Sequence, residues 1–269
     1  MAAGGGSGHL GEHCRAIPYF NRVKCWLGVI FLTSSSSRVQ VRAAVQSRRL
    51  GHVFAPVWRT ASGALFGFRA IMRFPDGTGP SAAAAAAREA GDLAALGELS
   101  LLSAMRVSWS LSGSLIVDVW PTEDFLCRVP QATALRKTTD VLAELAITAE
   151  VSAGALRHTA THLREQGFAL ALAGEDTAAL CDAAETLRPE VLRLQAPLRE
   201  GPEATALLSA ARKLGALVLG DGVDRPGQVA ELRLLGCDLV EGPHLGRPAP
   251  AGVCTPARVS LSWPREASL

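Results

Sequence analysis

The chain has 269 residues, 48% of them hydrophobic, 19% charged and only 5% aromatic, with a formal net charge of +2. This profile excludes a disordered protein, and a chain of this size buries about three quarters of its unfolded surface, so stability requires neither metal nor disulfides. Ten Arg/Lys stand against a single acid, Glu12, up to Arg73, while the remainder carries 17 basic and 24 acidic residues, so bulk charge argues against a nucleic-acid binder.

Residues 1–47 differ in character from the rest of the chain. Gly4 to Gly6 precede a basic stretch, the apolar run Cys25 to Leu32, and then Ser34 to Ser37. The run falls well short of the roughly 18 residues that span a bilayer. It lies too deep in the chain for a signal peptide, and no A-x-A cleavage site comes after it. The segment reads as a disordered tail or an over-extended gene start. Gly6-Ser7-Gly8-His9-Leu10-Gly11 satisfies GxGxxG, but no strand precedes it, so it is not a nucleotide site. The six cysteines lie far apart with no CxxC pair, which fits reduced thiols of a cytoplasmic protein and excludes a zinc ribbon.

Regular patterning starts near His52. Val53 to Trp58 and Leu65 to Phe74 read as strands about the turn Ser62-Gly63, and Ala82 to Leu102 as one Ala/Leu helix. A strand is predicted over Ser114 to Val119, a helix over Gln131 to Thr139, and a strand over Leu142 to Thr148. Ala153 to Gln166 is predicted helical and closed by Gly167. The alternation continues with strand Phe168 to Leu172, helix Thr177 to Leu187, strand Val191 to Gln195, helix Glu203 to Leu214 and strand Ala216 to Leu219. Helix Pro226 to Leu235 and the short strand Leu239 to Val240 complete it. Strands alternating with long helices call for parallel pairing through right-handed crossovers, and about eight of them favour a closed α/β barrel over an open sheet. The expected organisation is a tail over 1–47, a barrel over 48–252 and a C-terminal tail over 253–269.

Several short runs carry a specific resemblance. Leu235-Gly236-Cys237-Asp238 together with Glu241-Gly242-Pro243-His244-Leu245-Gly246-Arg247-Pro248 resembles LGCD-x-x-QG-x-x-x-GRP, the C-terminal signature of EAL domains, the bacterial phosphodiesterases of cyclic di-GMP. Gly220-Asp221-Gly222-Val223-Asp224 stands at the family's AEGVE, Phe54-Ala55-Pro56-Val57 at its opening FQPI, and Gly67-Phe68-Arg69-Ala70-Ile71-Met72-Arg73 at its G-x-EAL-x-R. The similarity runs from about residue 52 to 250. It implies a modified TIM (β/α)8 barrel with one antiparallel strand, and hydrolysis by two Mg²⁺ or Mn²⁺ ions at the C-terminal strand ends.

The residues that would carry this chemistry are mostly replaced. Arg69 stands at the Glu of EAL, Asp118 at an Asn, and Ala146 at the Glu of LEITE. Ala173 and Gly174 replace the Asp-Asp pair, Arg193 replaces a Lys, and Asp221 and Asp224 replace the AEGVE glutamates. Hard divalent ions need several converging oxygen ligands, so no metal cofactor and no catalytic residue are expected. Asp118, Asp221 and Arg193 are expected to meet at the barrel mouth as an ion-pair cluster. Glu175 and Asp176 reach the site only if the strand end deforms. His158 and His162 lie i,i+4 on a helix, but with no third ligand they read as a solvated face.

Three readings stay open: a degenerate EAL protein that signals through protein contacts, a non-catalytic cyclic di-GMP receptor, and an active phosphodiesterase. Residual nucleotide binding, weak at best, would use Arg73, Arg193, Gly242, Arg247 and Pro248. A protein partner is expected, nucleic acid is not, and a homodimer is left open.

Overall fold

The computed structural model describes residues 37–128, 140–195 and 201–254. Eight strands close into a barrel in sequential order: β1 (Gly51–Arg59), β2 (Leu65–Arg73), β3 (Ser114–Val119), β4 (Val141–Ile147), β5 (Ala169–Gly174), β6 (Val191–Leu194), β7 (Leu217–Gly220) and β8 (Leu239–Val240). β1 is antiparallel to both β2 and β8, and every other pairing is parallel. The expected modified TIM barrel with one antiparallel strand is thus the observed fold.

Helices α1 (37–47), α2 (Pro80–Ala90), α3 (Leu93–Val107), α4 (Ala153–Glu165), α5 (Thr177–Leu187), α6 (Pro202–Leu214) and α7 (Gln228–Leu235) accompany the strands. Two regions depart from the sequence reading. The single helix expected from Ala82 to Leu102 is broken into α2 and α3 at Gly91, whose φ of 74° lies in the left-handed region that glycine adopts without a Cβ clash. Residues 37–47, expected to end a disordered tail, instead form α1, which buries Val41 and Ala44 against Met72, Phe74, Leu96 and Trp120. Short α1, whose apolar residues are only Val39, Val41, Ala43, Ala44 and Val45, and alanine-rich α2 lack the large apolar residues that advertise a packed face. Beyond the expected boundary at 252, Cys254 is buried with its thiol 3.4 Å from the Ala249 carbonyl. The helix expected over Gln131 to Thr139 lies outside the described residues, as do residues 1–36.

The signature segment near the C-terminus closes the barrel seam. β1 and β8 pair only through Trp58 and Arg59, because Pro56 can donate no ladder hydrogen bond. The gap is bridged by Phe54 and Ala249, which exchange backbone hydrogen bonds of 2.7 and 3.1 Å. A Cβ on Gly246 would lie 2.4 Å from Pro56 Cγ, and one on Gly242 would lie 2.2 Å from the Val223 nitrogen. The Asp238 carboxylate accepts from the Val218 amide at 2.9 Å and fastens the start of β7. Packing therefore gives Gly242, Gly246 and Asp238 a structural role.

Side chains inside the barrel form layers. Val57, Ile116, Leu142, Ala171, Val191, Leu219 and Leu239 make a buried apolar layer, as barrel interiors require. Two residues further along most of these strands, the side chains turn charged.

Candidate functional site

The strand period of two puts residues i and i+2 on the same face. Ile116-Val117-Asp118, Leu142-Ala143-Glu144, Val191-Leu192-Arg193, Leu219-Gly220-Asp221 and Leu239-Val240-Glu241 each place a charged residue directly above an apolar-layer residue. Arg69 of β2 reaches the same level. At 5% exposure, its guanidinium engages three carboxylates with all three nitrogens. Nε donates to Glu241 Oε1 and Oε2 at 2.8 and 2.9 Å, Nη1 to Asp118 Oδ1 and Glu144 Oε1 at 2.9 Å each, and Nη2 to Glu144 Oε2 at 2.8 Å. The planar fork suits this paired geometry, which a lysine ammonium could not reproduce.

Arg193 extends the network, donating from Nη1 to Glu144 Oε1 at 3.0 Å and from Nη2 to Asp221 Oδ2. Its Nε sits 3.6 Å from Glu241 Oε1 and has no hydrogen-bond partner among the described residues. Two guanidinium groups thus face four carboxylates. Burial opposes ionisation of Glu144, but Arg69 and Arg193 overcome it and hold the carboxyl at about 2. Burial outweighs the arginines at Glu241 and raises its carboxyl above its ordinary value, and the Asp118 carboxyl is raised as well, by desolvation and by neighbouring Glu144. Burial also opposes the Arg69 charge, yet Glu144, Glu241 and Asp118 together hold that guanidinium well above its ordinary range.

Glu144 and Glu241 were missed by sequence reasoning. Motif matching drew attention to Ala146, which lies one pleat period above Glu144, and treated Glu241 as part of the closing signature. The repeated apolar-x-charged triplet at the strand ends was the available signal. Among the expected residues, Asp118 meets Arg69, and Asp221 meets Arg193. Ala146, Ala173 and Gly174 line a cavity of about 520 Å³ above the charged layer, together with Glu175 and Asp176. Asp176 is occupied as the cap of α5, its Oδ1 accepting from the Ala178 and Ala179 amides at 2.9 and 3.1 Å.

Other expected residues are not brought to the cluster. Asp224 is exposed, and its backbone amide donates to Gln228 Oε1 at 2.7 Å. Arg73 lines a different groove, and Arg247 and Pro248 are exposed. His158 and His162 are not simply a solvated face: His158 Nε2 lies 3.1 Å from the Phe125 carbonyl, and His162 Nε2 lies within 2.9 Å of the Cys127 amide and carbonyl. They tie α4 to the loop after β3. Among the described residues, no group of three or more His, Cys, Asp or Glu is arranged to hold a metal ion, and no helix is long and apolar enough to cross a membrane.

The closed barrel with its one antiparallel strand, together with the closing signature, defines an EAL-type barrel, and the chain belongs to the EAL domain family, whose model matches residues 38–248. Comparison with curated proteins finds no match. Similar solved structures include the PaMucR phosphodiesterase in complex with c-di-GMP, at 18% identity and TM-score 0.61, covering 81% of this chain and 98% of that one. The FimX EAL domain from Pseudomonas aeruginosa bound to c-di-GMP aligns at 15% identity and TM-score 0.63, covering 79% and 96%. An EAL domain protein from Listeria monocytogenes EGD-e aligns at 13% identity and TM-score 0.61, covering 80% and 94%. At these identities the likeness establishes the fold.

Proposed function

We propose that this EAL-domain protein takes part in bacterial signalling through protein contacts and does not hydrolyse cyclic di-GMP. The observation that carries the reading is the Arg69 guanidinium, held at 2.8–2.9 Å by Asp118, Glu144 and Glu241 inside the barrel. Two-metal phosphodiester hydrolysis needs oxygen ligands free to converge on hard cations. Here the carboxylates at that level are committed to Arg69 and Arg193, the strand positions above them are Ala146, Ala173 and Gly174, and of the cavity's other acids Asp176 caps α5 and Glu150 pairs with Arg88. The residues present do not fit a pair of divalent ions.

The charge of the mouth supports the same reading. Of the acids lining its cavity, Asp118 and Glu144 are paired with Arg69 and Arg193 and Glu150 with Arg88, while Glu175 and Asp176 add carboxylates with no arginine of the lining but Arg193, an environment that offers two phosphates no free cation among the described residues that line it. Without metal, those phosphates would depend on arginines already engaged with carboxylates. Cyclic di-GMP binding is expected to be weaker than roughly 10 µM, about −7 kcal/mol. Isothermal calorimetry with and without Mg²⁺ tests this. Weak or absent heats are expected, whereas sub-micromolar binding would overturn the reading in favour of a non-catalytic nucleotide receptor.

A further inference from the structure

A second cavity, of about 720 Å³, lies where the end of α1 and the start of β1 meet the end of β2 and α3. Arg48, Arg49, Arg73 and Arg106 line it and no acid does, while Leu50 and Val107 contribute apolar surface. Arg48 reaches Glu98 only at 3.9 Å. Arg49, Arg73 and Arg106 are exposed and have no ion-pair partner among the described residues. Val107 in the lining is 41% exposed. In contrast to the barrel mouth, these guanidinium groups meet no carboxylate among the described residues except Glu98, which Arg48 approaches at 3.9 Å. The groove combines arginine, a residue type that often anchors protein interfaces, with exposed apolar surface at Val107.

We propose that this groove docks an acidic segment of a partner protein, with carboxylates meeting the four arginines and an apolar side chain seated near Leu50 and Val107. Four exposed guanidinium groups on an open surface suit a chain of carboxylates better than one small anion, which would need a desolvated pocket with buried donors. The segments 1–36, 129–139, 196–200 and 255–269 are themselves net basic, with three acids against eight Arg/Lys, so an acidic complement is assigned to another chain. The inference rests on the proposed function only in taking the partner to be a protein. It requires nothing of the barrel mouth.

The test titrates the full chain with a fluorescent peptide of repeated Glu-Leu-Glu-Asp units, beside its Gln-Leu-Gln-Asn counterpart and inorganic phosphate. Saturable, salt-sensitive binding of the acidic peptide alone is expected, weakened about tenfold or more by Arg49→Glu with Arg106→Glu and largely kept by the Lys double variant. Unchanged melting of both variants establishes that they fold. Equal binding of the neutral peptide, binding unaffected by charge reversal, or competition by millimolar phosphate alone would each overturn the docking proposal. Cyclic di-GMP calorimetry on the same variants keeps the two readings apart: if the peptide fails to bind while cyclic di-GMP also binds only weakly, the groove proposal falls and the proposed function stands.

Discussion

Two adjacent layers of one barrel interior solve the burial problem in opposite ways. The lower layer fills space with Val57, Ile116, Leu142 and their neighbours, and is held by area and shape. The upper layer, one pleat period away, buries Arg69, Glu144 and Glu241 at 5% exposure or less and is held by reciprocal charge. An apolar layer tolerates a wrong shape better than a charged layer tolerates a missing partner, because an unpaired buried ion keeps its full desolvation cost. A guanidinium can therefore stand at the centre of this barrel only while several carboxylates surround it.

The largest expected effect separates the layers directly. Arg69→Met keeps approximate volume but leaves Glu144 and Glu241 without their main counter-charge, and should cost about 3–5 kcal/mol, a fall in Tm of roughly 10 °C. Ile116→Leu, one layer down, should cost less than about 1.5 kcal/mol. Adding Glu144→Gln and Glu241→Gln to Arg69→Met should recover much of the loss, because the three residues act as a unit. Additive losses in denaturant melts would show that the charges do not form one network.

Restoring an acid at the strand end is the next sharpest probe. A Cβ on Gly174 would lie 2.9 Å from the Ile147 carbonyl oxygen, so backbone must shift to admit any side chain. Gly174→Asp should therefore destabilise by about 1–3 kcal/mol, and Ala173→Asp, with a Cβ already in place, by less. An equal effect at both positions in thermal melts would remove the steric explanation.

The acids within the charged layer should also separate by pH. Glu144 has its pKa lowered to about 2 from 4.5, so its stabilisation is fully present above about 4.5 and is lost as pH falls toward 2. Glu241 is raised above 4.5, so the stability of its protonated form is fully present below about 4.5 and is lost as pH rises. The Tm difference between Glu241→Gln and the parent should move in favour of the variant as pH climbs past 4.5. The deficit of Glu144→Gln should shrink toward pH 2. Parallel pH profiles for parent and variants would contradict both assignments.

The smallest expected effect is that of metal. A native-state site raises stability by RT ln(1 + [L]/Kd), so a Mg²⁺ or Mn²⁺ site working at millimolar metal would raise Tm reversibly. No chelator-sensitive shift is expected here.

Much of the fold could be read from residue order. The strand-helix alternation places the barrel strands to within two residues at each end, since short apolar runs bounded by helix-closing glycines leave little freedom. Even β8, which is only Leu239 and Val240, was legible, because Gly236 ends α7 just before it. The break at Gly91 was hidden because alanine gives a helix without announcing which face is buried, and α1 was hidden because its only apolar residues are three valines and two alanines between arginines and polar residues. Asp118, Arg193 and Asp221 were found by motif position. Glu144 and Glu241 were not, because a buried acid is visible in sequence only when its counter-charge on another strand is known, and Arg69 lies 75 residues from one and 172 from the other.

On the proposed reading, Arg69 takes up the carboxylates that divalent ions would need. The most direct measurement incubates the purified chain with cyclic di-GMP and Mg²⁺ or Mn²⁺ and follows formation of linear pGpG. No turnover above background is expected, and Arg69→Glu alone should not create it. Turnover abolished by EDTA and by Asp221→Ala would contradict this reading.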